Sequence, residues 1–235
     1  MGVILNLYIM IIISGASRGI GKYLLETFKE QNIETIGLYN STKPELFSEC
    51  YHKVDIRNFE EVEKTITPLI SNSDNLVLIN CAGINYNSFA HKSDPVKWKE
   101  VIDINLIGTY NLIRCVLPRM REINHGRIIN FSSVVAIKGT PGISAYAATK
   151  SAFWGMSKSI AIENANKNIT INSINLGYSV LGMISEVPEQ YLEQIKNGIP
   201  MKRLCNPDEI LSTVNYLINT AYITGESINI NGGLI

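Results

Sequence analysis

The stretch that most constrains this chain is Ile11-Ile12-Ile13-Ser14 running straight into Gly15-Ala16-Ser17-Arg18-Gly19-Ile20-Gly21, after which Ile20, Tyr23, Leu24 and Phe28 fall at helical spacing. A β-branched run, a glycine turn and an amphipathic pattern, in that order, predict a buried strand that reverses tightly into a helix. Glycines in the spacing GxxxGxG permit left-handed backbone angles and remove side chains that would hold a phosphate away. The helix N-terminus adds free N–H groups and the positive end of a dipole. Gly15, Ser17, Arg18, Gly19, Ile20 and Gly21 are therefore candidates for cradling a pyrophosphate. Taken alone, the same spacing also suits a tight strand-to-helix turn with no ligand.

The rest of the chain repeats this alternation. Candidate strands are Tyr8 to Ser14, Glu34 to Leu38, Tyr51 to Val54, Leu76 to Asn80, Arg127 to Phe131, Thr170 to Leu176 and Ser227 to Ile230. Between them, Trp98, Val101 and Ile102, and then Ile113, Val116 and Leu117, keep a helical period. The expectation is an α/β fold, a single-domain, doubly wound parallel sheet of about seven strands with helices on both faces. No Pro/Gly/Ser-rich linker or repeat divides residues 1–235, so one domain is expected. Met10 stands just before the isoleucine run, which leaves residues 1–9 as a candidate non-native extension.

With 21 basic and 21 acidic residues there is no net positive field to attract nucleic acid. Met1 to Ile13 is apolar, but it lacks a basic start and is shorter than the ~20 residues that cross a bilayer, which argues against signal peptide and membrane span alike. Cys50, Cys81, Cys115 and Cys205 are far apart with no CxxC pair, which disfavours zinc and disulfides and fits a reducing cytoplasm. His52, His91 and His125 have no metal-ligand spacing and read as ordinary loop or surface residues. No metal is expected.

A dinucleotide site asks for an acid about 20 residues beyond the glycine turn, where the ribose hydroxyls would lie. Leu38-Tyr39-Asn40-Ser41-Thr42-Lys43 contains none. A carboxylate there would repel a 2′-phosphate, whereas Arg18 would attract one, so the pattern tilts toward NADP(H), helped by Asn40 or Ser41, with NAD(H) as the alternative. Arg18 as a plain solvated residue is the competing reading.

Tyr146-Ala147-Ala148-Thr149-Lys150 opens a helical pattern continued by Phe153, Met156 and Ile160. Tyr and Lys four residues apart share a helix face. A phenol titrates near 10, and a neighbouring ammonium favours its phenolate, so the pair is a candidate general acid/base whose tyrosine pKa is expected to fall. Ser133, just after the strand ending at Phe131, lies at the carboxyl end of the sheet, where such folds bind ligands.

These pieces together resemble the short-chain dehydrogenase/reductase family, and within it the 3-oxoacyl-acyl-carrier-protein reductases. The resemblance runs from Ile11 to Gly233. It is carried by Gly15 to Gly21, Val54-Asp55-Ile56, Asn80-Cys81-Ala82-Gly83, Asn105, Ser132-Ser133-Val134, Tyr146 to Lys150, Ile223-Thr224-Gly225-Glu226 and Asn231-Gly232-Gly233. It implies a Rossmann-type sheet, a nicotinamide cofactor and a tetrad of Asn105, Ser133, Tyr146 and Lys150. Tyr146 would exchange the proton on the substrate oxygen, and Ser133 would bind that oxygen. Lys150 would also bind the nicotinamide ribose, and Asn105, in a distorted helix, would hold a water serving Lys150. Asp55 and Ile56 would border the adenine, and Cys81, Ala82 and Gly83 would line the cofactor.

Two departures stand out. Cys81 replaces the second asparagine of the family's Asn-Asn-Ala-Gly turn, so any contact there comes from its backbone. Leu176 and Leu181 replace the proline and threonine of the family's Pro-Gly-x-Ile-x-Thr stretch, which shifts cofactor orientation onto the backbone around Gly177 to Ser179. Met183 to Met201 is the expected lid, with Ile184, Val187, Tyr191, Leu192 and Ile195 apolar. Asp103 reads as a helix-surface carboxylate. The apolar outer faces of Trp98 to Leu117 and Tyr146 to Ile162 suggest a homotetramer or homodimer. The expected activity is NADPH-dependent carbonyl reduction, 3-oxoacyl thioesters being one substrate class. An alcohol or sugar dehydrogenase is the enzymatic alternative, and a non-catalytic dinucleotide-binding regulator is the alternative of another class.

Overall fold

The structure, a computed structural model, describes residues 9–182, 184 and 187–235. Its strands are β1 (Met10–Ser14), β2 (Glu34–Tyr39), β3 (Tyr51–Lys53), β4 (Leu76–Asn80), β5 (Gly126–Ser133), β6 (Ile169–Leu176) and β7 (Ser227–Ile230). All pairings are parallel, in the order β3-β2-β1-β4-β5-β6-β7. Its helices are α1 (Gly19–Glu30), α2 (Phe59–Ile70), α3 (Pro95–Ile102), α4 (Thr109–Glu122), α5 (Ser144–Asn164), α6 (Glu189–Gly198) and α7 (Pro207–Asn219). This is the expected single-domain Rossmann-type architecture.

Apolar runs in β1 and β4 are buried at every position, because helices cover both sheet faces. Alternation along a strand then splits the core in two. Ile12, Leu38, Leu76, Leu78 and Ile128 pack toward α2 and α4. Ile11, Ile13, Val77, Ile79 and Ile129 pack toward α1 and α7.

The strand order reverses between β1 and β4. Ser14 at the end of β1 is flanked by Leu38 of β2 and Asn80 of β4, so the crevice opens between the carboxyl ends of these strands, where doubly wound sheets take ligands.

Several boundaries move. Ser133 closes β5 rather than following it, because β5 pairs with β6 through Ser133 opposite Leu176. The helix bearing Tyr146 starts at Ser144. His52 is a strand residue in β3, whereas His125 lies half-buried in the loop before β5. Tyr8 falls outside the described residues. Of the expected extension, Ile9 is a buried member of the core, and residues 1–8 lie outside the described residues. In the expected lid, Met183, Ser185 and Glu186 also lie outside them. No helix among the described residues is long and apolar enough to cross a membrane.

Candidate active site

The glycine turn is shaped by what surrounds it. Gly15 sits at φ +66°, and a Cβ there would lie 2.7 Å from the Ala82 backbone. A Cβ at Gly21 would lie 2.5 Å from the carbonyl oxygen of Gly15. The turn therefore packs directly against the loop after β4, which ties the first expected cofactor segment to the second, Cys81-Ala82-Gly83. Arg18 is the N-cap of α1 but makes no side-chain capping bond, and no acid stands in that helix's first turn. By contrast α2 is capped by the Asn58 carbonyl, α3 by the Asp94 carboxylate and α7 by a reciprocal pair of Asn206 and Glu209. The α1 terminus thus keeps the donors and dipole that suit phosphate.

Asn105 is fully buried, in a π-helical turn over Asp103–Gly108 that joins α3 to α4. Its amide grips one residue twice: Oδ1 accepts from the Ile84 N–H at 2.8 Å, and Nδ2 donates to the Ile84 carbonyl at 2.9 Å. The same Nδ2 donates to Thr149 Oγ1 at 3.3 Å, and that hydroxyl donates to the Tyr146 carbonyl at 2.8 Å. The expected helix distortion is present. Asp103 is ion-paired with Lys99 at 2.6 Å.

Tyr146 and Lys150 lie on the buried face of α5, with the Lys150 ammonium 5.4 Å from the Tyr146 ring centre. That ammonium donates to the Phe131 carbonyl at 2.6 Å, and Ser132 Oγ donates to the Lys150 carbonyl at 3.0 Å. A Cβ on Gly83 would lie 3.4 Å from Asn105 Oδ1 and 3.7 Å from Lys150 Nζ. The bare glycine leaves the space beside both groups open. The Ser133 side chain lies beside the Tyr146 phenol, and its Oγ accepts from the Val135 N–H at 3.3 Å. All four tetrad residues converge at the carboxyl end of β4 and β5.

The electrostatics differ from the sequence expectation. Burial lowers the Lys150 ammonium to about 8. Burial also pushes the Tyr146 phenol up to about 12, with the nearby Ser133 hydroxyl pulling the other way. The shift runs upward rather than downward because desolvation of the phenolate outweighs what Ser133 contributes. The Cys81 thiol is pushed up as well, again by burial, so it is a neutral wall residue.

The remaining predicted residues take varied places. The Asp55 carboxylate is held by Arg57 through contacts of 2.6 to 3.0 Å, which draws its pKa down. Ile56 packs beneath Gly108, where a Cβ would lie 2.5 Å from it. Asn40 is exposed just past β2. At Gly177 a Cβ would lie 2.7 Å from the Asn231 backbone, and Ser179 Oγ accepts from the Leu181 N–H at 3.0 Å. That bond spends the Ser179 hydroxyl inside its own turn. Leu176 is a buried strand residue paired with both Ser133 and Ile230.

Sequence reasoning missed a buried polar ladder under the site. Ser14 Oγ donates to Asn80 Oδ1 at 3.4 Å, Asn80 Nδ2 to Asn130 Oδ1 at 2.8 Å, and Asn130 Nδ2 to Ser157 Oγ at 3.4 Å. It links the strand of the glycine turn to the helix of Tyr146. An asparagine at the end of an apolar run, twice over, was its only sequence signal.

A glycine turn at a switch point, a helix terminus without a side-chain cap and the Ser133, Tyr146 and Lys150 cluster fit a nicotinamide dinucleotide. The comparisons agree. Residues 15–235 match the family described as enoyl-(acyl carrier protein) reductase. The chain belongs to the short-chain dehydrogenase/reductase family and is an NAD(P)-dependent oxidoreductase. It is 33% identical over 237 residues to the 3-oxoacyl-(acyl-carrier-protein) reductase FabG of Staphylococcus aureus, covering 95% of this chain and 96% of the relative. The solved structure of ElxO with NADP bound matches with a TM-score of 0.87 and 25% identity, over 96% of this chain and 98% of that one. Ligand-free aldohexose dehydrogenase of Thermoplasma acidophilum matches with a TM-score of 0.87 and 28% identity, over 96% and 93%.

Proposed function

We propose that this protein is an NADPH-dependent carbonyl reductase acting on 3-oxoacyl thioesters. The observation that carries the reading is the buried Tyr146 phenol, set beside Ser133 with the Lys150 ammonium 5.4 Å from its ring centre. A bound nicotinamide supplies the hydride. Tyr146, kept protonated by burial, gives its phenolic proton to the carbonyl oxygen as the alcohol forms. Ser133 donates to that same oxygen and stabilises its charge. Lys150, anchored on Phe131 with its ammonium 5.4 Å from the Tyr146 ring centre, would hold the nicotinamide ribose through its remaining N–H donors. Asn105 keeps the Gly83–Ile84 backbone in place beside Lys150.

The substrate class is supported by the side chains around Tyr146. Ile84, Tyr86, Trp98, Val135 and Ile143 pack with Val101, Ala145 and Tyr146 into an apolar cluster that suits an acyl chain. NADP(H) is supported by Arg18 at the head of α1 and by the absence of an acid from Tyr39 to Lys43. NADP-bound ElxO points the same way. A homotetramer or homodimer is supported by Ile107, Tyr110 and Ile162, exposed on the outer sides of the π turn, α4 and α5. Four free thiols fit the cytoplasm. The aldohexose dehydrogenase likeness favours a sugar or alcohol dehydrogenase as second reading.

The test is oxidation of NADPH and NADH with a panel of 3-oxoacyl thioesters, simple ketones and keto-sugars. Fastest turnover of 3-oxoacyl thioesters with NADPH supports the reading, whereas preference for keto-sugars moves it to the second. No turnover of any member, with nucleotide still bound, leaves the non-catalytic regulator. Replacing Arg18 with Ala should weaken NADPH roughly ten- to a hundredfold and NADH little, since a charge-assisted contact contributes about 1.5–3 kcal/mol.

A further inference from the structure

Tyr51, the first residue of β3, is buried, and its hydroxyl donates to the Ala16 carbonyl at 3.2 Å across 35 residues of sequence. Ala16 is the second residue of the glycine turn, and its N–H donates to the Leu38 carbonyl at 3.1 Å. Both peptides that meet at Ala16 are therefore held from the sheet side. A trans peptide points its carbonyl and its N–H in opposite directions. Fixing the Ala16 carbonyl inward on Tyr51 consequently turns the Ser17 N–H outward. Fixing the Ala16 N–H on Leu38 turns the Gly15 carbonyl toward Gly21, where the backbone leaves no room for a side chain.

The tyrosine ring reaches this position because β2 makes space for it. A Cβ on Gly37 would lie 2.7 Å from two Tyr51 ring carbons and 2.5 Å from Leu25 Cδ1. The Tyr39 ring meets Tyr51 edge-on, with centres 6.5 Å apart, at the end of β2. Burial, with smaller contributions from Glu26 and Cys50, pushes the Tyr51 hydroxyl up to about 12, so it stays a donor.

We propose that Tyr51 is a positioning residue for the dinucleotide, acting through Ala16 to aim the Ser17 N–H of the glycine turn at the diphosphate. This rests on the cofactor reading given above. The Tyr51 hydroxyl reaches the turn at Ala16, so its loss bears on the diphosphate, whereas the ring, which meets Tyr39 beside the expected 2′-phosphate end, is kept in Tyr51→Phe.

The experiment compares wild type, Tyr51→Phe and Gly37→Ala by direct titration with NADPH and with 2′-AMP, which carries the adenosine and 2′-phosphate but no diphosphate. Tyr51→Phe keeps the ring and removes one hydrogen bond, so the expected result is a Kd for NADPH raised about three- to tenfold with the Kd for 2′-AMP unchanged. The KM for NADPH should rise in proportion, with kcat at saturating NADPH within about twofold of wild type. Gly37→Ala keeps the hydroxyl but displaces the ring, so weaker NADPH binding is expected of it as well. An unchanged NADPH Kd in folded Tyr51→Phe overturns the proposal, as does equal weakening of NADPH and 2′-AMP. Lower thermal stability with an unaltered Kd ratio overturns it too. Wild-type protein that binds NADH in place of NADPH refutes the 2′-phosphate reading alone, and NADH against 5′-AMP then tests Tyr51 identically. Wild-type protein that binds neither dinucleotide overturns both.

Discussion

The Lys150 ammonium stands 5.4 Å from the centre of the Tyr146 ring, on a helix face where both side chains are buried. Burial works on the two in opposite directions, lowering the lysine to about 8 and raising the tyrosine to about 12. The tyrosine is thus a proton donor at neutral pH.

Replacing Tyr146 with Phe removes the transferable proton and keeps the ring. Turnover should fall by about 10²–10⁴-fold, as for a lost general acid/base, while nucleotide affinity stays near wild type. Steady-state kinetics beside a binding titration check this, and near-normal turnover would refute the role given to Tyr146.

Lys150→Met should show activity and stability moving apart. A pKa lowered from 10.5 to about 8 corresponds to about 3 kcal/mol of burial cost carried by the charged lysine at neutral pH. The methionine variant should gain part of that, offset by the unpaired Phe131 carbonyl, while turnover and nucleotide affinity collapse. In wild type the linkage runs the same way: the unfolded chain binds the proton more tightly, so this residue's contribution strengthens as pH rises from about 8 to 10.5. Denaturant melts at pH 7 and pH 9.5 test both statements. A less stable variant at pH 7 would contradict the first.

His125 gives a second, acid-side dependence. Burial first, and the Arg127 guanidinium second, lower it to about 4 from 6.5. The unfolded chain takes up the proton more readily between those values, so stability present above pH 6.5 is lost as pH falls toward 4. His125→Gln should flatten the stability curve over that window. A curve with wild-type slope would show that another group titrates there.

The Asn80–Asn130 bond at 2.8 Å should be visible as coupling. Each single change to Ala leaves a buried amide partner unsatisfied and should cost about 1–3 kcal/mol. The double variant should cost less than the two together by about 1 kcal/mol, measured in a double-mutant cycle. Strict additivity would mean that the ladder is not a connected unit.

What could be read from the chain alone was what is local. Ile11 to Gly21 shows strand, turn and helix within eleven letters, and Tyr146 with Lys150 shows a shared helix face, since backbone periodicity is set by neighbours in sequence. Alternating apolar strands and helices likewise implied a covered parallel sheet. The sign of the Tyr146 shift was not legible, because desolvation depends on what the fold stacks around α5 from distant segments. The reach of Tyr51 to Ala16, the grip of Asn105 on Ile84 and the line from Ser14 through Asn80 to Asn130 join residues 35, 21, 66 and 50 positions apart. No periodicity encodes such contacts. They exist only once the sheet order has set β1 between β2 and β4 and brought the strand ends, with their polar side chains, to one edge.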